Sequence, residues 1–235
     1  MRLQRRKGIV FWHNAALITF ALVAIGMTWT VMNTGFSSTE VMKDTIEKAI
    51  VDSANALQVI GKMTGAAKVD LGQVTLTATP VTITANGMLD VSAENIRLAY
   101  SILKEGNYTI TQENIYVGAL YDRTYNSVSS ATAAAKESGL ISINPLVDSE
   151  KPQETSAFMY WVIDLDGDRH LQNGEIANLV IVYADRDRPE TAEHIELVME
   201  EPQGVLLDIE RDVPNISTSI LDFGGTVKNA ESSGD

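Results

Sequence analysis

Residues 9–39 contain no Lys, Arg, Asp or Glu, and Arg2, Arg5, Arg6 and Lys7 stand directly ahead of them. Within that run, residues 11–32 are 22 in number, enough for a helix to cross the hydrocarbon core of a bilayer. A conventional secretory signal is cut after a short apolar core, near small residues. Here the small residue Gly8 comes before the apolar run, so a cut between Gly8 and Ile9 removes the basic leader with Lys7 and keeps the apolar helix. By the positive-inside rule the leader stays cytoplasmic and the remainder lies outside. His13, Asn14, Thr19, Thr28 and Thr30 make the helix less apolar than a permanent anchor. This mixed character suits a segment that leaves lipid for a protein-packed environment, as in a subunit held in the membrane before it joins a filament.

Charge sharpens the division. The formal net charge is −13, and removing the +4 of the leader leaves −17 on everything after Gly8. So acidic a body is a poor ligand for nucleic acid, whose phosphates need clusters of Lys and Arg. Cysteine is absent, which excludes disulfides, thiolate metal sites and thiol nucleophiles.

The helix is expected to continue beyond the interruption Asn33-Thr34-Gly35. Val41, Ile46, Ile50, Leu57 and Ile60 recur with helical spacing, charged residues fall on the other face, and Gly61 and Gly65 mark the end. Thereafter the pattern changes to short β-branched and alternating runs at 74–79, 81–85, 96–103, 108–111, 115–121, 158–163, 176–183, 194–199, 205–209 and 216–221. Asn86-Gly87 reads as a turn, and the Ala-rich stretch 127–138 as a short helix or a surface excursion between strands. The expected fold class is α+β, a long N-terminal hydrophobic and amphipathic α-helix followed by an Ig-like β-sandwich head. The expected divisions are a leader over 1–8, a filament-core helix over 9–65 and the head over 66–235.

The basic leader, Gly8 and the retained helix resemble a class III, prepilin-type signal. Type IV pilins and archaellins, the subunits of the archaeal motility filament, share that plan. Bacterial-type pilins carry Glu at the fifth mature position, where this chain has His13. The C-terminal runs Gly204-Val-Leu-Leu-Asp-Ile-Glu-Arg211-Asp-Val-Pro214 and Leu221-Asp-Phe-Gly224 resemble the close of an archaellin head. The resemblance implies a structural subunit that polymerises into an archaellum filament for swimming. It also implies processing by a prepilin peptidase at Lys7, Gly8 and Ile9, residence in the cell membrane before assembly, and contact with the archaellum motor and platform proteins. Phe11, Leu17, Phe20, Ile25, Val41, Ile46, Ile50, Leu57 and Ile60 are then expected at the filament interface. An adhesive type IV pilin and a monomeric membrane-anchored extracellular β-domain stay open as alternatives.

The sharpest local motif is Asp164-Leu-Asp166-Gly-Asp168-Arg-His-Leu-Gln-Asn173-Gly-Glu175. Asp164, Asp166, Asp168 and Glu175 fall at the oxygen-ligand positions of a calcium loop, although Arg169 stands where that loop has Gly. A bound Ca2+ would neutralise the self-repelling carboxylates; an acidic turn without an ion is the alternative. Asn107 and Asn215 open sequons for surface glycans, as Asn107-Tyr-Thr and Asn215-Ile-Ser. Asp185, Asp187 and Glu190 alternate with Arg186 and Arg188 and read as a solvated turn. No nucleophile elbow, Walker loop or His-Glu-x-x-His is present, and His13, His170 and His194 are scattered, so catalysis has no support.

Overall fold

A computed structural model describes residues 57–83, 87–104, 107–202 and 204–224. The expectations that fall on 1–56, including the leader cut and the membrane helix, lie outside these residues. Among the described residues no helix is long and apolar enough to cross a membrane.

The head is built from strands β1 (Leu57–Val59), β2 (Thr64–Lys68), β3 (Gln73–Ile83), β4 (Met88–Asp90), β5 (Arg97–Lys104), β6 (Asn107–Gln112) and β7 (Tyr116–Leu120). Helix α1 (Val128–Glu137) follows, then β8 (Ser156–Ile163), β9 (His170–Gln172), β10 (Ile176–Val182), β11 (His194–Glu201), β12 (Gly204–Asp212) and β13 (Ile220–Asp222). The larger sheet runs β13-β2-β3-β10-β8-β7, with β1 also paired to β3; the smaller runs β12-β11-β5-β6, and β4 pairs with β9 alone.

Period-two alternation explains the layers. Ala157, Met159 and Trp161 of β8, with Leu179 and Ile181 of β10, face Leu98, Tyr100, Ile102, Ile195 and Leu197 of the smaller sheet in one core. The intervening Phe158, Tyr160, Val180 and Val182 face the other way and pack with Ala131 and Ala135 of α1 in a second core. Larger side chains on α1 would hold it away from the sheet; alanines let it lie close.

The helix sits where it does because β7 and β8 are parallel. Parallel neighbours need a crossover that returns the chain to the same end, commonly through a helix. Ser127 caps α1, its hydroxyl accepting from the Ser130 N–H at 3.1 Å. The Ala-rich stretch is thus a helix, and it forms a third layer that an Ig-like sandwich lacks. With that layer on the other face of β3, Thr75, Thr77 and Thr79, which alternate with apolar residues in the sequence, are buried as well. Thr77 exchanges a 2.9 Å hydrogen bond with the buried Tyr183 hydroxyl.

Two further expectations change. The runs on either side of Pro80 are one strand of 11 residues. Proline survives there because β3 changes partner at that point, from β2 at Ala78 to β1 at Val81. Its carbonyl still accepts from the Ile60 N–H at 3.1 Å. The helix expected to run through Gly61 has given way by Leu57, whose strand pairs with Ile83, so the head begins ahead of residue 66. Gly65 is not a helix stop; a Cβ there would sit 2.7 Å from the Phe223 ring and 3.1 Å from the Leu76 carbonyl oxygen, so β2 needs glycine for close packing. The C-terminal run expected at 216–221 forms a strand only at β13, an edge of the larger sheet.

Candidate functional site

The acidic loop 164–175 links β8 to β10 at one end of the larger sheet. Its turns are made by carboxylates accepting from nearby backbone amides, a geometry Asp readily adopts. Asp164 Oδ1 accepts from the Gly167 N–H at 2.8 Å, and Asp168 Oδ1 from the His170 N–H at 2.6 Å. Gly167, at φ +75°, supplies the left-handed residue this winding requires. The Gln172 amide donates to Asp166 Oδ2 at 2.9 Å and reaches Asp168 Oδ2 at 3.3 Å.

Glu175 closes the loop. It is 1% exposed, and its two carboxylate oxygens accept from Leu165 N and Gln172 N, each at 2.9 Å. Thr82 Oγ1 donates to the Glu175 carbonyl at 2.6 Å, fastening the loop to β3. Asp164, Asp166 and Glu175 bring one carboxylate oxygen each within 4.8 Å of one another. Asp168 does not join that group; its oxygens are occupied by His170 and Gln172. The residues present therefore offer three of the four expected ligands in one place, in the hard-oxygen chemistry calcium favours.

Neighbouring charges behave differently at the opposite end of β3. There Asp187 and Arg188 are buried, which corrects the solvated turn expected from their alternation. Asp187 Oδ2 accepts from Thr155 Oγ1 at 2.8 Å, and Arg188 lies 2.7 Å from Asp185. Lys151 also donates to Asp185 at 2.7 Å. That hydrogen bond, with Arg188 and Lys68 nearby, holds the Asp185 carboxyl below its usual range despite partial burial. The i,i+3 spacing of Asp185 and Arg188 was the available signal; read as self-neutralising, it points to an ion pair able to enter the core.

Of the remaining sites, Lys7, Gly8, Ile9, Phe11, Leu17, Phe20, Ile25, Val41, Ile46 and Ile50 lie outside the described residues. Leu57 is 5% exposed in the core of its own head, so it is withdrawn from the filament interface, whereas Ile60 just beyond it is exposed. Asn107 opens β6 at the β5–β6 hairpin. Asn215 and Ser217 are both exposed after Pro214, in an irregular stretch that a glycan-transferring enzyme can reach.

No family model matches the chain. A protein named Probable flagellin 1, from Aeropyrum pernix, is 26% identical over 233 residues, covering 96% of this chain and 98% of that protein. The crystal structure of archaeal flagellin FlaB1 from Methanocaldococcus jannaschii aligns with a TM-score of 0.51 and 20% identity, over 71% of this chain and 95% of that one. The chain is thus similar in sequence to a flagellin over 96% of its length, and in fold to an archaeal flagellin over 71%. The archaeal flagellum of Methanospirillum hungatei strain JF1 also aligns, at a TM-score of 0.43 and 11% identity, over 87% of this chain and 93% of that one. The FlaB1 alignment shows that fold over 71% of this chain and takes in nearly all of that one.

Proposed function

We propose that this chain is the structural subunit of an archaellum filament, an extracellular homopolymer that serves swimming motility. The observation that supports this reading is the likeness to Probable flagellin 1 over 96% of this chain and 98% of that protein, a span too long for the head alone. A binding or hydrolytic domain fixed to a membrane would need only an anchor, with no reason to match a flagellin along both parts.

In this reading a prepilin peptidase cuts between Gly8 and Ile9, and the membrane holds the subunit until assembly. Phe11, Leu17, Phe20, Ile25, Val41, Ile46 and Ile50 replace lipid with neighbouring subunits. Subunits sharing one orientation make heterologous contacts that propagate a helix instead of closing a ring. The acidic heads face water, Asn107 and Asn215 carry glycans, and the loop 164–175 takes a calcium ion. Motor and platform proteins turn the assembly, and the chain itself is structural and not catalytic.

N-terminal sequencing of sheared surface filaments tests the reading, with Ile9 expected as the first residue. Gly8→Val should leave uncut precursor in the membrane and no filaments. A chain starting at Met1, monomeric in the membrane fraction, would overturn the assignment.

A further inference from the structure

Two sets of exposed apolar side chains occupy opposite ends of the head. At the loop end Ile163 is 41% and Leu165 68% exposed, beside Asp164, Asp166 and Asp168. At the other end Val69 is 45% and Leu71 49% exposed in the turn between β2 and β3. β3 joins the two, with the turn ahead of Gln73 and the loop fastened at Thr82, and its 11 residues span about 33 Å.

We propose that these ends dock on each other between copies of this chain, the Ile163–Leu165 loop of one head seating on the turn 69–72 of the next. The proposal deepens the filament reading and rests on it. Exposed apolar clusters on soluble surfaces mark contact sites, and here they come in a pair whose members point apart. The turn is a firm receptor: Leu71 N–H donates to the Lys68 carbonyl at 3.1 Å and Gly72 N–H to that of Val69 at 3.2 Å.

Charge selects the pairing. Two loop ends facing each other would bring together two copies of Asp164, Asp166 and Asp168. The turn end instead carries Lys68, which with Lys151 and Arg188 acts on the single carboxylate of Asp185, while Asp70 and Glu190 flank the turn. Loop-to-turn contact therefore sets an acidic rim against one in which Lys68 and Lys151 offset the carboxylates, around an apolar centre, and so avoids the repulsion of loop against loop. Such a contact is heterologous, so it repeats along a polymer. Leu57, where the described residues begin, pairs with Ile83 and so lies at the loop end, with the turn at the far end of β3.

The chain contains no cysteine, so introduced thiols report without background. Full-length chain carrying both Leu165→Cys and Leu71→Cys is assembled into filaments, mildly oxidised and run on a denaturing gel without reductant. A ladder of dimers, trimers and higher multimers is expected, with monomer alone from either single variant. Filaments that yield no ladder, or dimers from Leu165→Cys alone, would overturn the docking while leaving the filament reading intact. If the unsubstituted chain forms no filaments, the filament reading falls and the docking with it. A second measurement uses charge: Leu165→Lys or Leu71→Asp alone should lower filament mass roughly tenfold, and the two together should restore it. Undiminished filaments in both single variants, or no restoration in the pair, also overturns the proposal.

Discussion

The loop 164–175 and the corner 185–190 crowd a similar number of carboxylates into a few residues, at opposite ends of β3, and neutralise them by different means. In the corner the opposing charges come from within: Arg188 and Lys151 hold Asp185, and Thr155 holds Asp187. In the loop the carboxylates lean on backbone amides, with Arg169 placed over the Tyr121 ring, 5.2 Å from its centroid. A self-neutralised cluster can be buried and fixes the fold. An amide-held one keeps net negative charge and stays open to a cation or to another subunit. The difference separates a charge-balanced acid cluster from one that keeps net negative charge, although both look alike as strings of Asp.

The strongest way to break this comparison is to remove the corner's internal partner. The Arg188 side chain is 1% exposed, and its Nη1 lies 2.7 Å from Asp185 Oδ1 as an ion pair without hydrogen-bond alignment, while its Nε has no hydrogen-bond partner among the described residues. Asp185→Ala then leaves a buried guanidinium without its nearest carboxylate. A loss of about 3 kcal/mol is expected, read as a lower melting temperature in circular dichroism. Adding Arg188→Met should recover most of it, because an apolar side chain of similar length needs no partner. If Asp185→Ala melts as the unsubstituted chain does, the corner is not held by its ion pair.

Next in size is Glu175→Gln. Both Glu175 oxygens accept backbone N–H groups; glutamine keeps one acceptor and turns an N–H₂ toward the other amide. A buried donor facing a donor costs about 1–3 kcal/mol. Melting temperature again reads it, and calcium binding should weaken in parallel. A variant with unchanged stability would show that the loop closes without Glu175.

Calcium itself gives a smaller, conditional effect. Raising calcium to about tenfold above a dissociation constant of roughly 10⁻⁴–10⁻³ M adds about 1.4 kcal/mol to the folded chain. The full chain should therefore melt higher in millimolar calcium than in chelator. Asp164→Asn with Asp166→Asn should erase the difference, and Asp168→Asn should erase less, since Asp168 stands outside the 4.8 Å group. The corner variants should keep the full calcium response. Equal melting in calcium and chelator would make the loop an acidic turn without an ion.

Most of the head was legible as strands, because alternation and β-branched residues report local pairing directly: 176–183 and 194–199 became β10 and β11 almost unchanged. What escaped depends on distant partners. Leu57 continues a helical stripe in sequence, yet Ile83 across the sheet draws it into a strand. The alternation of Thr75, Thr77 and Thr79 with apolar residues reports a strand but not that both faces are interior, which follows only once α1 covers the Leu76 and Ala78 face. The spacing of Asp164, Asp166 and Glu175 did report their convergence, because a tight loop is a local structure. Asp168 escaped for a different reason: His170 and Gln172, two and four residues on, occupy its oxygens, a local competition that ligand spacing does not report.

Acid sharpens the comparison with the smallest change. The hydrogen bond from Lys151, aided by the charges of Arg188 and Lys68, lowers the Asp185 pKa in the folded chain relative to the unfolded one. A lowered folded pKa means the unfolded chain binds the proton more tightly. The stabilisation is therefore complete above the unfolded value, about 3.9, and is lost as pH falls below it toward the folded value. Asp185 is partly exposed, so solvent screens the pair and the loss is modest. Lys151→Met should flatten the decline of melting temperature below pH 4, while leaving the calcium response of the loop untouched. A decline equally steep without Lys151 would assign the acid sensitivity to other depressed carboxylates, such as Asp148 beside Lys136 or Asp222 beside Lys62.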